Sequence, residues 1–225
     1  MEKGKISASM MCAGLDKIFY YMTEFKEAEL EFLHIDIMDG EFVPNFALGT
    51  DYVKSLRRIT DIPFDFHFLV NDPITKMTWF DIDEGDHVSF HYENNNQIEK
   101  CLEYLKRLGA RPYIAINPET DFHVLDKYLN DIDGVLVMTV HPGFAGQKLV
   151  SETIDKVKEM TEYYKEIGKE DIIIEVDGNM SIENAEIFYK AGASIFVAGS
   201  SSLFKHSEEP VREIIDKKRK VIGWN

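Results

Sequence analysis

Cysteine is scarce in this 225-residue chain: only Cys12 and Cys101 occur, far apart and without C-x-x-C spacing. A disulfide framework is therefore excluded in favour of two free or buried thiols in a reducing compartment. Long apolar runs are missing too. Nothing approaches the roughly 18 consecutive apolar residues of a membrane span, and Met1–Leu15 lacks the apolar stretch of a signal peptide. The expectation is a cytoplasmic protein with no membrane partner. Positive charge is in short supply, with 25 Lys and Arg against 40 Asp and Glu and a formal net charge of −15. Such a field repels phosphate-rich polymers, so nucleic acid is not an expected partner. A small anionic substrate would need local donors strong enough to override that field over a few ångströms.

What is present is an alternation. Short runs rich in Ile, Val and Phe are predicted as strands at Lys5–Met10, Phe32–Ile37, Phe64–Val70, His87–Phe90, Arg111–Ile116, Gly134–Met138, Ile172–Val176 and Ser194–Ala198. Helical patterns such as "QIEKCLEYLKRLG" and "SETIDKVKEMTEYYKEIG" separate them, and Gly109, Gly168 and Gly192 stand where left-handed helix ends are expected. Eight strand–helix units of about 28 residues suit a compact (β/α)₈ TIM barrel. An open, doubly wound sheet is the rival, but no glycine-rich dinucleotide fingerprint follows the first strand. No linker or low-complexity tract divides the chain, so residues 1–225 are expected to form one α/β barrel domain. Asn94–Asn96 reads as a polar loop, and Lys217–Lys220 as the solvated face of a last helix.

In such a barrel the strands deliver their C-terminal ends to one face, where active sites occur. The polar residues at those ends are Ser9, His34, Asp36, His67, His91, Asn117, Thr139, Asp177, Gly199 and Ser200. Within "LHIDIMDGEFVPN" the alternation of a strand puts His34, Asp36 and Met38 on one face. A single histidine there would ordinarily be a hydrogen-bonded core residue. Four convergent groups, His34, Asp36, His67 and Asp177, are better explained as metal ligands, because unpaired buried charge is costly. Two imidazoles and two carboxylates suit one divalent Zn, Mn, Fe or Co ion, with Mg less natural. His87, His123 and His206 lie away from predicted strand ends and read as surface or helix residues. His91, in "FHYE", is placed just behind the site. Phe25, Phe32, Trp79 and Phe80 read as core or interface packing.

The second constellation is glycine-rich. "HPGFAGQ" follows the sixth strand, "VDGNM" the seventh, and "VAGSSSLF" the eighth, where it is expected to open a helix. Backbone N–H groups in such turns, together with a helix N-terminus, make an anion cradle that needs no Lys or Arg.

The motifs "ISASM", "HIDIMDGEFVPN", "FHFLV", "NPET", "VMTVHPGFAGQ", "IEVDG" and "AGSSSLF", in that order, make the chain resemble the ribulose-phosphate 3-epimerase family along nearly its whole length. The resemblance implies an isomerase that holds its metal on His34, Asp36, His67 and Asp177. It implies that Asp36 and Asp177 also act as the two acid/base groups, and that Ser9 and His67 touch substrate. Phosphate contacts would fall on Gly143, Phe144, Ala145 and Gly146, on Gly178 and Asn179, and on Gly199 and Ser200. A homodimer or higher homo-oligomer is implied as well. Some positions depart from the usual pentulose pattern. Ala145 and Asn179 replace glycines, Leu69 stands where methionine is usual, and the last loop reads "GSSSLFKHSEE". These look more like the D-allulose-6-phosphate 3-epimerase branch. They make D-allulose 6-phosphate to D-fructose 6-phosphate the expected reaction, and D-ribulose 5-phosphate to D-xylulose 5-phosphate the alternative.

Epimerising a carbon beside a ketone means taking a proton from one face and returning one to the other. A Lewis-acid metal makes that carbon acidic enough for a carboxylate, and two carboxylates can then exchange roles. Met38 would supply a polarizable apolar wall. A lyase or decarboxylase on the same barrel would carry D-x-K-x-x-D on its third strand, and "DFHFLVND" lacks the lysine. A non-catalytic sugar-phosphate sensor would have no use for the Asp36–Asp177 pair.

Overall fold

The computed structural model describes residues 2–93, 95–205 and 209–224. Asn94 of the polar loop, His206, and Ser207 and Glu208 of the last loop lie outside the described residues. The strands are β1 (Lys5–Ser9), β2 (Phe32–Asp39), β3 (Phe46–Ala47), β4 (Phe64–Leu69), β5 (His87–His91), β6 (Arg111–Ile116), β7 (Gly134–Met138), β8 (Ile173–Asp177) and β9 (Ile195–Ala198). All but β3 pair in parallel in the order β1-β9-β8-β7-β6-β5-β4-β2, and a further β1–β2 pairing closes the ring. The (β/α)₈ barrel expected from the sequence is the observed fold. The two-residue β3 runs antiparallel to the end of β2, matching Met38 with Ala47 and Asp39 with Phe46. That pairing carries β2 two residues past its predicted end.

Helices follow the strands: α1 (Ile18–Glu27), α2 (Thr50–Arg57), α3 (Pro73–Met77), α4 (Ile98–Leu108), α5 (Glu152–Glu166), α6 (Ile182–Ala191) and α7 (Val211–Val221). α4 shows why. Its buried residues Ile98, Cys101, Leu102 and Leu105 fall at i, i+3, i+4 and i+7, Lys106 and Arg107 occupy the last turn, and Gly109 ends it at φ +74°. After β6 the expected helix is a 3₁₀ segment, Phe122–Tyr128. After β9, residues 200–204 form turns rather than the start of a helix. Among the described residues no helix is long and apolar enough to cross a membrane.

Alternation along the strands sorts side chains into two compartments. Ile6, Ile35, Phe66, Phe90, Ile114, Val135, Val176 and Phe196 join the helices in the large core outside the barrel. The residues between them point to the axis, where Ala115, Leu136, Met138 and Val140 form a separate apolar cluster. Phe25, Phe32 and Phe80 are core residues, whereas Trp79 is 56% exposed. Both cysteines are free, Cys101 buried and Cys12 partly so.

Two expectations fail here. His87 is buried at the start of β5 inside the barrel, its ring stacked 4.9 Å from that of Tyr113. Lys218 is also buried rather than solvated. It shares the inner face of α7 with Ile214 and Ile215 and donates from Nζ to the Met180 carbonyl at 2.5 Å.

Candidate active site

The register of the barrel brings the four expected ligands together. Ser9 pairs with His34 across β1–β2, Asp36 with His67 across β2–β4, and Met138 with Asp177 across β7–β8. One ligand atom from each of His34, Asp36, His67 and Asp177 lies within 4.8 Å of all the others. Asp36 Oδ1 is 3.3 Å from both His34 Nε2 and His67 Nδ1, and Asp177 Oδ2 is 3.9 and 3.8 Å from the same two nitrogens. Ligand bonds of about 2.0–2.2 Å in a tetrahedron imply edges of about 3.3–3.6 Å, close to these separations. His34 Nε2 is fully buried and finds no hydrogen-bond partner among the described residues. A buried, orphaned imidazole nitrogen facing two carboxylates is what a divalent cation would satisfy, so the residues fit one. The ion's identity is not specified by this donor set.

The charges are arranged unequally. Burial works against charge on His34, but Asp65 and Asp36 outweigh it and hold its pKa well above the usual histidine range. Burial also opposes charge on Asp36, and His34 and His67 overcome it, keeping the carboxylate far below its ordinary value. Asp177 lacks such compensation. Burial, followed by the field of Asp36 and Asp65, lifts it to about 7 in spite of His34. Burial drops His67 to about 4. Two carboxylates with separated proton affinities thus flank one pair of imidazoles, an arrangement suited to proton transfer near neutral pH.

Above this floor the glycine-marked loops form the wall of one cavity. It is lined by Ser9, Asp36, Met38 and Asp177, by Gly143, Phe144, Ala145 and Gly146, and by Gly178, Asn179, Gly199 and Ser200. His34 and His67 sit beneath, with no exposed surface. Ser9 Oγ donates to Asp36 Oδ2 at 3.1 Å. The loops are tied to one another: Asn45 Nδ2 donates to the Gly143 carbonyl, and Asn179 Nδ2 to that of Gln147, both at 2.7 Å. Gly178 has φ +121°, and a Cβ there would meet Val140 Cγ2 at 2.7 Å. Asn179 adopts φ +51°, the left-handed turn asparagine tolerates best after glycine. Ala145 is not in that region, so its methyl carries no backbone strain. Because the expected helix after β9 is absent, that side of the cradle is built of turns alone.

Several members of the site went unread in the sequence. Met11, Cys12, Met138, Val140 and Val197 also line the wall, beside Leu69 and His141, Pro142, Gln147 and Ser201 of the loops. Beneath the floor, Asp65 Oδ2 lies 2.7 Å from His34 Nδ1 and accepts from Ser7 Oγ at 2.6 Å. Burial and the adjacent Asp65 push the Glu175 carboxyl well above its ordinary value, favouring its neutral form. Asp65 and Glu175 each precede a site residue by two positions, and strand alternation was the signal that could have found them.

The geometry is matched by relatedness. Residues 5–204 match the Ribulose-phosphate 3 epimerase family. The chain belongs to the ribulose-phosphate 3-epimerase family. It is 34% identical over 197 residues to the ribulose-phosphate 3-epimerase of Bacillus subtilis (strain 168), covering 88% of this chain and 91% of that protein. Identity is also 34% over 197 residues to the Methanocaldococcus jannaschii ribulose-phosphate 3-epimerase, covering 88% and 83%. Among solved structures, the KGPDC from Streptococcus mutans superposes with a TM-score of 0.66 at 13% identity, covering 99% of this chain and 100% of that one. At that identity the likeness concerns the fold alone. Family membership makes the chain a carbohydrate epimerase acting on phosphorylated sugars.

Proposed function

We propose that this epimerase interconverts D-ribulose 5-phosphate and D-xylulose 5-phosphate by inverting C3. The observation that carries the reading is the pair Asp36 and Asp177, brought together over two buried histidines at the floor of a cavity walled by backbone turns. The pentulose phosphate is preferred to the hexulose phosphate expected from Ala145, Asn179 and the last loop, because the similar curated proteins are ribulose-phosphate enzymes. A physical reason agrees. Ala145 sits at an ordinary φ and Asn179 keeps a left-handed turn, so neither replacement remodels the cradle that would distinguish substrates.

In this reading His34, Asp36, His67 and Asp177 hold one divalent ion, which would supply Lewis-acid stabilisation of the negative charge developing on the substrate oxygens. Asp36 takes the C3 proton from one face while Asp177 delivers one to the other, and the reverse reaction exchanges their duties. Ser9 orients Asp36 through its hydroxyl. Met38, Leu69 and Met138 exclude water around the reacting carbon. The phosphate rests on backbone N–H groups of Gly143–Gly146, Gly178–Asn179 and Gly199–Ser200, which is how an acidic chain can bind an anion without lysine or arginine. Assembly as a homodimer or larger homo-oligomer belongs to the same proposal.

The decisive experiment is turnover of D-ribulose 5-phosphate and D-allulose 6-phosphate side by side with Zn²⁺, Mn²⁺, Fe²⁺ and Co²⁺. The pentulose should have the higher kcat/KM, and D₂O should place deuterium at C3 of the product. A higher kcat/KM for the hexulose overturns the substrate assignment; product without solvent deuterium overturns the two-carboxylate route.

A further inference from the structure

The two histidines of the floor are braced differently. His34 Nδ1 meets a carboxylate directly, Asp65 Oδ2 at 2.7 Å. His67 has no carboxylate behind it. Its Nε2 faces another imidazole nitrogen, His91 Nε2, at 3.0 Å. Two ring nitrogens at that distance share one proton, one donating and the other accepting. His91 Nδ1 in turn lies 2.9 Å from Glu93 Oε2. The other oxygen of Glu93 accepts from the Asn117 backbone N–H at 2.8 Å and from the Thr120 hydroxyl. His91 is held in place by ring contact with His67 on one side and Phe42 on the other, at 5.1 and 4.6 Å between centroids.

We propose that Glu93 is a positioning residue that acts through His91 to place the proton of His67 on Nε2, leaving Nδ1 free to ligate. The inference rests on the reading of His34, Asp36, His67 and Asp177 as a metal site. With His91 a neutral imidazole, each proton is fixed by the one before it. An ionised carboxylate only accepts, so His91 must carry its proton on Nδ1. His91 Nε2 is then bare and can only accept, so His67 must donate from Nε2. His67 Nδ1, 3.3 Å from Asp36 Oδ1, is left with its lone pair toward the ligand cluster. Although burial opposes it, His91 and the loop donors hold Glu93 down to about 2, so it is acceptor-only throughout the working range.

Glu93→Gln tests the relay because it keeps shape and reverses one polarity. The amide oxygen must face the Asn117 N–H, which can only donate. The NH₂ group then points at His91 Nδ1, forces its proton to Nε2, and pushes the proton of His67 onto Nδ1. The expected result is a loss of about 10- to 100-fold in Co²⁺ affinity, the usual effect of disturbing the partner behind a ligating histidine. It is measured by chelator competition on metal-stripped protein, with the melting temperature as the check on folding. ¹⁵N spectra of both rings should show the exchanged tautomers. Thr120→Val, which loosens Glu93 without changing what it offers His91, should leave affinity and tautomers as in the wild type. Wild-type tautomers and affinity within twofold in Glu93→Gln would overturn the relay, as would an equal loss in Thr120→Val. Failure of the wild-type protein to bind Co²⁺ through His67 would overturn the metal site itself, a distinguishable outcome.

Discussion

The interior of the barrel is lined by two unlike sets of strands, with β6 and β7 adjacent and β9 set between β8 and β1. On β1, β2, β4, β5 and β8 the polar inward positions are Ser7, Ser9, His34, Asp36, Asp65, His67, His87, Ser89, His91, Glu175 and Asp177, all but Asp177 buried, with Phe32, Met38 and Leu69 among the apolar ones. On β6, β7 and β9 they are Tyr113, Ala115, Leu136, Met138, Ile195 and Val197. Much of the polar half is paired internally, as Ser7 with Asp65, Asp65 with His34 and His91 with Glu93, whereas His87 Nδ1 and both oxygens of Glu175 find no partner among the described residues. The apolar half lowers the local dielectric and keeps water away, which strengthens each of those pairs and makes any unpaired member expensive. The charges proposed for catalysis and the dry strands beside them are therefore one design.

The sharpest break in that division is to remove a charge at the mouth while keeping its shape. Asp177→Asn should lower epimerisation by about 10²- to 10⁴-fold, the usual worth of a positioned acid or base. Asp36 should still exchange the C3 hydrogen of one epimer with retention in D₂O, provided metal binds. Asp36→Asn should show the mirror behaviour with the other epimer. Both are read by chiral product analysis and deuterium content, and inversion by Asp177→Asn at the wild-type rate would remove the two-carboxylate mechanism.

A paired comparison deeper in the barrel tests each half against the other. His34→Ala should lower metal affinity by about 10-fold or more, since losing a ligand should cost at least what losing its hydrogen-bond partner does. Leu136→Ala, on the apolar side, should cost about 2–5 kcal/mol of stability through lost burial and a residual cavity, with metal affinity unchanged. Equal effects of both variants on metal affinity would show that the two halves are not separate.

The division also shows what sequence can and cannot reveal. His34, Asp36, His67 and Asp177 were legible because alternation and the polarity of a parallel barrel assign strand ends to one mouth. Asp65 and Glu175 obey the same alternation two residues earlier, but they lie beneath the mouth, where a strand-end position no longer marks a residue as functional. Glu93 could not be found that way. It follows the end of β5, where periodicity stops, and its partners Asn117 and Thr120 are 24 and 27 residues away. Lys218 is the opposite case. Helical spacing with Ile214, Ile215 and Ile222 puts it on the buried face, while the charge run "DKKRK" argued for solvent.

At the rim, Gly178 and Gly146 test whether the phosphate cradle depends on backbone shape. Both have positive φ, but only at Gly178 would a Cβ collide, with Val140 and Thr139; at Gly146 it would meet nothing within 4 Å. Gly178→Val should raise KM for the phosphorylated sugar about 10-fold, which corresponds to about 1.4 kcal/mol of strain and displaced donors. Gly146→Val, strained but unobstructed, should raise it less. Unchanged KM in a folded Gly178→Val enzyme would place the phosphate elsewhere.

The last contrast concerns a buried amine without a carboxylate against it. Inside the barrel each ionised group has an opposite neighbour, whereas Lys218 Nζ has the carbonyls of Met180 and Ser181, at 2.5 and 3.4 Å. Burial lowers its pKa from 10.5 to about 7, and Glu183 recovers only part of the loss. Between those two values the unfolded chain carries the proton and the native chain does not, so stability from this group rises with pH from about 7 to 10.5 and is flat below. The slope cannot exceed about 1.4 kcal/mol per pH unit for one proton. Lys218→Met removes the titration, so the stability of the wild type minus that of the variant should climb across pH 7, 8 and 9 in urea unfolding. Thiols and tyrosines that ionise in the same range cancel in the difference. Parallel pH profiles for the two proteins would mean that Lys218 stays charged in the fold, its two carbonyls sufficing where His34 is held by Asp65.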